Sequence, residues 1–370
     1  MKKILFFIPT LADGGAERVL VNLVNRMDRS KYKITVQTLF DVGRYKKELA
    51  EDIEYKHNFK KQFKGNTRIF RLFSKEFLFK RLIKGDYDII VSYLESPTTR
   101  IVAGCKNPDV KLVSWVHNEM RDFNDFIVSF RNADERAECY AKFDENVFVS
   151  QTSMRSFQKY LDLKNCRVIY NTIDSDRIRK MADEKVDDIP FHADCINLIS
   201  VGRLINQKGY MRLLRIFNRL VKDDGFDSLR LVILGDGHLR NDLEKFVLEN
   251  NLSGKVLLPG FTENPYKYVK SADLFVCSSL HEGYSTAVTE SLIVGTPVIT
   301  TLCSGMEELL CDGSCGIITD NDEEALYVAL KDLIKNKSDI EMWAEKAQIR
   351  GKDFSADKTV LDAQNLFDNI

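Results

Sequence analysis

No run of about 18 apolar residues occurs in the 370-residue chain, so the sequence predicts no membrane-spanning helix. Neither sign of charge is in excess. Lys and Arg number 54 against 55 Asp and Glu, a net charge of −1. That withholds the global basic field by which nucleic-acid binders hold phosphate. No CxxC pair occurs. Cys105, Cys139, Cys166, Cys195, Cys277, Cys303, Cys311 and Cys315 are scattered. They read as reduced, mostly buried thiols of a cytosolic protein, not as a disulfide framework. Cys311 and Cys315 are the closest pair, but no His or Cys nearby completes a metal-ligand set. The dinucleotide fingerprint G-x-G-x-x-G is also missing. The loop "TLADGGAER" holds only the pair Gly14 and Gly15, so Asp41, at the end of the second apolar run, does not read as the ribose acid of an NAD enzyme. Finally, "MKKILFFIPTLADGGAE" starts like a signal peptide but shows no small-x-small cleavage site, and its apolar run is short. It reads as a buried strand, Lys3–Pro9.

What is present is a repeated rhythm. The length favours two domains over one core. "KILFFIPT", "KITVQTLF", "YDIIVSYL", "VKLVSWVH", "ENVFVS" and "CRVIYN" are short β-rich runs separated by helical or loop sequence, as in "AERVLVNLVNRM". Continuous apolar runs suit parallel strands covered on both faces. The acidic stretch "MADEKVDDIPFHADC", residues 181–195, reads as a linker. The rhythm then restarts with "INLISVGRL", "LRLVILGDG", "KVLLPG", "ADLFVCSS", "TPVITT" and "GIIT". The fold class expected is α/β, with two doubly wound, Rossmann-like sheets facing a central cleft. Residues 1–185 form the first domain and 193–352 the second. Such sheets bind ligands beyond the carboxyl ends of their strands.

Candidate residues cluster at those ends. Gly15 opens a helix whose N-terminus suits a phosphate or a polar acceptor group, or else simply makes a tight turn. His117, in "SWVHNEM", is either a core histidine or a functional one facing the cleft. In "SVGRLINQKGY", Arg203 offers a planar fork and Lys208 a point charge, with Gly202 and Gly209 leaving room, a pairing suited to a diphosphate. Gly235 and Asp236 in "LGDGHLR", and the backbone around Phe261 in "LPGFTENP", could read a base edge or be structural turns. The densest locus is "LHEGYSTAVTE", residues 280–290. Ser285 or Thr286 caps a helix stopped by Gly295, and the helix mouth favours an anion. Glu282 and Glu290 would repel that anion unless they point past it, at hydroxyls. A carboxylate accepting two hydrogen bonds fits a vicinal diol.

Assembled in this order and spacing, "GGAER", "GRLINQKG", "LGDGHLR", "LPGFTEN", "ADLFVCSS" and "HEGYSTAVTESLIVGTPVI" resemble a retaining glycosyltransferase of the GT-B fold, glycosyltransferase family 4. "GGAER" is a variant frequent in members that assemble bacterial polysaccharides and glycans. The resemblance covers nearly the whole chain and implies the roles. Arg203 and Lys208 would neutralise the leaving diphosphate. Glu290 would hold the nucleotide ribose and Glu282 the transferred sugar, with His281 beside it. The backbone of Gly283, Tyr284, Ser285 and Thr286 would cradle phosphate, with Gly202, Gly235, Asp236 and Phe261 around the donor. His117 would lie near the reacting sugar, and Gly15 by the diphosphate or acceptor. The implied reactants are a nucleotide-sugar, a UDP-sugar before GDP-mannose, and a glycan or lipid-linked acceptor. The resemblance implies no metal and a final segment, 353–370, crossing back onto the first domain. Tyr284 stands where the family commonly has Phe, and "TTLCSGMEELL" replaces a glycine-rich turn while keeping Ser304, Gly305 and Glu308. The alternatives are a sugar-nucleotide epimerase of the same fold and a non-catalytic sugar-nucleotide-binding protein.

One stretch stands apart. Lys56–Lys84 holds ten Lys and Arg, one acid (Glu76) and six Phe. Such a segment reads as a helix or loop on an anionic membrane surface, as a solvated helix with its Phe side chains in the core, or, third, as an RNA contact. The localisation expected is cytoplasmic, with a peripheral contact on the inner face of the plasma membrane and no nucleic-acid partner.

Overall fold

A computed structural model describes residues 1–12 and 14–370; Asp13, in the "TLADGGAER" loop, lies outside the described residues. The chain forms two compact units, Met1–Thr172 with Ala356–Ile370, and Ile173–Ser355. Each is built on one parallel sheet, and the alternation of apolar runs with amphipathic helices is the physical reason.

The first unit contains β1 (Lys2–Ile8), β2 (Tyr32–Phe40), β3 (Glu54–Phe59), β4 (Ile89–Tyr93), β5 (Lys111–Val116), β6 (Glu145–Phe148) and β7 (Cys166–Val168), ordered β3-β2-β1-β4-β5-β6-β7. Strand β1 is central, pairing Ile4 with Ile34 on one side and Ile89 on the other. Ile4 to Ile8 are wholly buried, as a strand covered on both faces requires. The chain runs outward to β3 and returns beside β1 as β4. The crevice between the ends of β1 and β4 is therefore the switch point where ligands of such sheets bind. The last helix, Ala356–Asn369, packs on this unit. Phe367 meets Phe6 edge-on at 5.8 Å, and Lys2 Nζ donates to its carbonyl at 2.7 Å.

The second unit contains β8 (Ile196–Val201), β9 (Leu229–Leu234), β10 (Val256–Gly260), β11 (Leu274–Cys277), β12 (Val298–Thr301) and β13 (Ile317–Thr319), ordered β10-β9-β8-β11-β12-β13. Its switch point lies between β8 and β11. The unit begins at Ile173, ahead of the boundary at 185 expected from composition. The acidic stretch is docked rather than loose. Asp188 accepts from Tyr268 Oη at 2.7 Å, Asp183 pairs with Lys270 at 2.6 Å, and the Met181 carbonyl accepts from Asn264 at 2.8 Å. A run rich in acids looks like a linker by composition, yet Asp183 and Asp188 have partners on the helix Tyr266–Ser271.

The basic, Phe-rich stretch is also more structured than expected. It begins inside edge strand β3 and continues as two short helices, Asn66–Arg71 and Lys75–Leu82. Phe59, Phe63, Phe70 and Phe79 pack on the core, which is the reading of inward-facing Phe. Phe73 and Phe77 do not. Their rings stack at 5.3 Å on the surface, beside exposed Ile69 and a Leu72 that is 77% exposed. The buried Arg100 fixes this corner, donating to the carbonyls of Phe70 (3.0 Å) and Phe73 (2.8 Å) while paired with Glu135 at 2.9 Å. All eight cysteines are free; Cys105, Cys139, Cys277 and Cys303 are buried, and the other four half-buried. No helix among the described residues is long and apolar enough to cross a membrane.

Candidate active site

In the second unit the loops after β8, β9 and β10 lie side by side. Gly202 N donates to the Leu234 carbonyl, Leu204 N to that of Asp236, and Gly235 N to that of Gly260, each at 2.9 Å. Gly235 has φ +140°, and a Cβ there would sit 1.9 Å from the Gly202 carbonyl oxygen, so this approach demands glycine. Asp236 is exposed, its side chain turned onto the N–H of Gly237 at 2.8 Å. Phe261 is 46% exposed at the end of outermost strand β10, two strands from the switch point.

At the switch point, the loops after β8 and β11 are joined. Lys208 ends a 3-10 turn, Asn206–Lys208, after β8. Glu282 follows β11. The Lys208 ammonium meets Glu282 Oε1 at 2.6 Å, and the same oxygen accepts from Ser279 Oγ at 2.6 Å. Gln207 N–H donors reach the His281 carbonyl at 3.0 Å, while the Gln207 carbonyl accepts from Leu280 N at 2.7 Å. Burial opposes the Lys208 charge, but the Glu282 charge and hydrogen bond outweigh it and hold the ammonium above its ordinary pKa. Lys208, Glu282, Ser279, Tyr210 and Ser285 line one small cavity. Arg203 is exposed beside it, close enough for its charge to act on Lys208.

The helix Thr286–Val294 starts at this cavity. Ser285 is its N-cap, accepting from Val288 N at 3.4 Å, and Gly295 ends it at φ +84°. Gly283 and Tyr284 are buried before it, Thr286 is its first residue, and Glu290 lies half-buried one turn on. The structure thus brings Gly202, Lys208, His281, Glu282 and Ser285 together around one strand switch. Sequence reasoning missed two residues that build it. Ser279 shares Glu282. Arg212, buried on the helix Tyr210–Lys222, donates to the carbonyls of Ser278 (2.5 Å) and Ser279 (3.0 Å) and so fixes the end of β11. Nothing in "GYMRLLRIF" separates Arg212 from an ordinary surface cation.

In the first unit, Gly15 is the first residue of the helix Gly15–Arg26, capped by Gly14. His117 follows β5, buried, its ring 4.6 Å from that of Tyr93. Neither His117 Nε2 nor Tyr93 Oη has a hydrogen-bond partner among the described residues. Burial pushes the His117 pKa down to about 3, so its imidazole is neutral at physiological pH. A third group, missed in the sequence, sits with them. Glu95 follows β4, and burial pushes its carboxyl up to about 7 against the pull of N–H donors from His117 and Asn118.

These shifts have opposite consequences for stability. His117 binds a proton near 6.5 when unfolded and near 3 when folded, so its contribution is complete above 6.5 and is lost as pH falls toward 3. Glu95 has the reverse sign. Its contribution is present below 4.5 and is lost as pH rises through about 7. His117→Asn removes only the first. Urea unfolding from pH 7 to pH 4 should therefore show the stability gap between wild type and His117→Asn shrinking as the solution is acidified. A constant gap would mean that His117 is not held neutral by burial.

Similarity to known proteins is consistent with this geometry. Residues 183–350 match the family model described as Glycosyl transferases group 1, and residues 13–177 match that of Glycosyltransferase Family 4. A Campylobacter jejuni N-acetylgalactosamine-N,N'-diacetylbacillosaminyl-diphospho-undecaprenol 4-alpha-N-acetylgalactosaminyltransferase is 29% identical over 98% of both chains. A second C. jejuni enzyme, a diNAcBac-PP-undecaprenol-glycan alpha-1,4-N-acetyl-D-galactosaminyltransferase, is 26% identical over 96% of this chain and 95% of its own. Among solved structures, Anabaena Alr3699/HepE in complex with UDP-glucose superposes with a TM-score of 0.77 at 18% identity over 100% of both chains. The two family models between them cover residues 13–177 and 183–350, most of both units, and the fold is that of these neighbours: the chain is a GT-B glycosyltransferase of family 4.

Proposed function

We propose that the protein transfers a sugar from a nucleotide diphosphate, a UDP-sugar, to a lipid-linked glycan, with retention at the anomeric carbon and without a metal. The observation that carries the donor half is the Lys208–Glu282 pair at the strand switch, beside the Ser285-capped helix N-terminus. Cation and helix mouth suit a diphosphate, and the carboxylate suits sugar hydroxyls. HepE, of like fold, binds UDP-glucose. The acceptor half is supported by the C. jejuni relatives, whose substrates are undecaprenyl-diphosphate glycans.

In this reading the bond from anomeric carbon to diphosphate oxygen breaks as the acceptor hydroxyl adds on the same face. The hydroxyl proton passes to the departing phosphate oxygen. Arg203, Lys208 and the helix N-terminus stabilise charge on that phosphate, as preorganised electrostatic groups do. Glu290 takes the ribose, Glu282 the sugar, and the neutral His117 imidazole a sugar hydroxyl. Incubation with a panel of UDP- and GDP-sugars and a polyisoprenyl-diphosphate glycan tests it. UDP release with an elongated, α-linked product supports the reading. An epimerised nucleotide-sugar would favour the epimerase, and no turnover with any donor a binding protein.

A lipid-linked acceptor calls for a membrane contact, and the Lys56–Lys84 corner supplies one. Exposed Leu72, Phe73 and Phe77 stand among exposed Arg68, Lys80, Arg81 and Lys84. That combination suits shallow insertion into anionic lipid. Leu72→Ser/Phe73→Ser/Phe77→Ser should weaken co-sedimentation with phosphatidylglycerol vesicles about tenfold or more, since burying one large apolar side chain contributes about 1.5–3 kcal/mol. Unchanged co-sedimentation would remove this surface from the proposal.

A further inference from the structure

The chain at the end of β4 adopts a costly conformation. Leu94 has φ +97°, a region that a branched side chain enters rarely. The surrounding groups hold it there. Its N–H donates to the Trp115 carbonyl at 2.9 Å, and its carbonyl accepts from Thr99 Oγ1 at 3.3 Å and Thr98 Oγ1 at 3.4 Å. The turn carries the next residue, Glu95, across to the end of β5. There Glu95 Oε1 accepts from the backbone N–H groups of both His117 and Asn118, and Oε2 accepts from Asn118 Nδ2 at 3.2 Å. On the far side, Ser153 Oγ donates to the Asn118 carbonyl at 2.7 Å. The backbone that bears the imidazole is thus gripped by a carboxylate from the neighbouring strand and anchored by a hydroxyl from the helix Gln151–Gln158.

A carboxylate is an expensive way to satisfy two backbone donors away from water, and a strained leucine is an expensive way to deliver it. Both are understandable if the position of the following side chain matters. His117 Nε2 and Tyr93 Oη are buried without partners among the described residues, so within that part of the chain they are polar atoms left to meet another group.

We propose that Glu95 is a positioning residue for His117. Its carboxylate fixes the turn after β5, so that the neutral imidazole presents Nε2 in one orientation toward the transferred sugar. The inference rests on the reading of His117 given above, and it goes beyond that reading by assigning the group that aims it.

The test uses the full-length chain carrying Glu95→Ala, Glu95→Gln, His117→Ala and the Glu95→Ala/His117→Ala double change. Glu95→Ala should lower kcat about tenfold to a hundredfold, the scale of a misplaced reacting group, with the donor KM little changed. Glu95→Gln keeps an acceptor for the backbone N–H groups and should recover most of that loss. The double variant should be no slower than His117→Ala alone, because Glu95 acts only through the imidazole. Losses that multiply would overturn the proposal while leaving the role of His117 standing. A second measurement does not depend on activity. The chain has five histidines, and His117→Asn identifies the 13C-imidazole signal of His117. In wild type that signal should not titrate between about pH 5 and 8. In Glu95→Ala the loosened ring should meet water and titrate. An unaltered signal would overturn the proposal even if His117 proved essential. Wild-type turnover in His117→Ala would instead overturn the assigned role of His117, with the spectrum still deciding whether Glu95 aims it.

Discussion

Arg203→Ala should lower turnover by about a hundredfold to a thousandfold, the cost of removing one preorganised donor from a developing anion. The reason lies in the division of charge at the strand switch. Lys208 is the more buried cation, but Glu282 already stands 2.6 Å from its ammonium. Before any ligand arrives, that pair is close to neutral. Arg203, exposed on the loop after β8, carries the positive charge that is not spent on a carboxylate of the cavity. It also offers a planar fork that matches two phosphate oxygens at once. Arg203→Lys keeps the charge and loses the fork, so it should fall between wild type and Arg203→Ala.

Stability separates this from a folding defect. An exposed side chain away from the core changes unfolding by about 0.5 kcal/mol or less when removed. Steady-state release of nucleotide diphosphate, measured beside thermal unfolding, should show a large kinetic loss at an unchanged transition. Wild-type turnover in Arg203→Ala would mean that the leaving diphosphate is stabilised elsewhere.

The sheets were legible in the sequence because their physics is local. "KILFFI" is apolar beyond its first residue and "INLISV" is mostly apolar, and neither alternates as a one-face strand would; a strand covered on both faces reads so, and they became β1 and β8. Strand β3 was hidden by the opposite cause. "EYKHNF" lies at the sheet edge, exposed or half-buried at every residue, so no apolar pattern marks it. The docking of the stretch 181–195 was hidden because it comes from partners such as Tyr268 and Lys270, about eighty residues on. The same limit governs the sites. The motif around Glu282 could be read as a helix mouth with carboxylates, since capping is local. Its pairing with Lys208, 74 residues away, depends on β8 and β11 being neighbours. Glu95 left no trace in the sequence at all. Its role depends on the backbone angle of Leu94 and on the adjacency of β4 and β5.

Removing either member of the Lys208–Glu282 pair should destabilise the second unit, and removing both should not add the two losses. The side chains are 19% and 9% exposed, so each charge is largely withdrawn from water. Glu282→Gln leaves the Lys208 ammonium with a neutral oxygen in place of a carboxylate. Lys208→Met removes the ammonium from the carboxylate and leaves it the Ser279 hydroxyl, 2.6 Å away, as a neutral donor. Breaking a buried pair from one side costs about 3–5 kcal/mol, and the residual exposure of Lys208 argues for the lower end. In Lys208→Met/Glu282→Gln no unmatched charge remains, so urea unfolding should recover a large part of either single loss. Turnover should behave differently. If Lys208 meets the diphosphate and Glu282 the sugar, the double variant regains stability and stays inactive, because neither partner of the donor is restored. Recovery of both together would make the pair a structural strut. Recovery of stability alone assigns it to the chemistry, and it explains why an ion pair that apolar residues could replace without loss of stability occupies the end of the central strands.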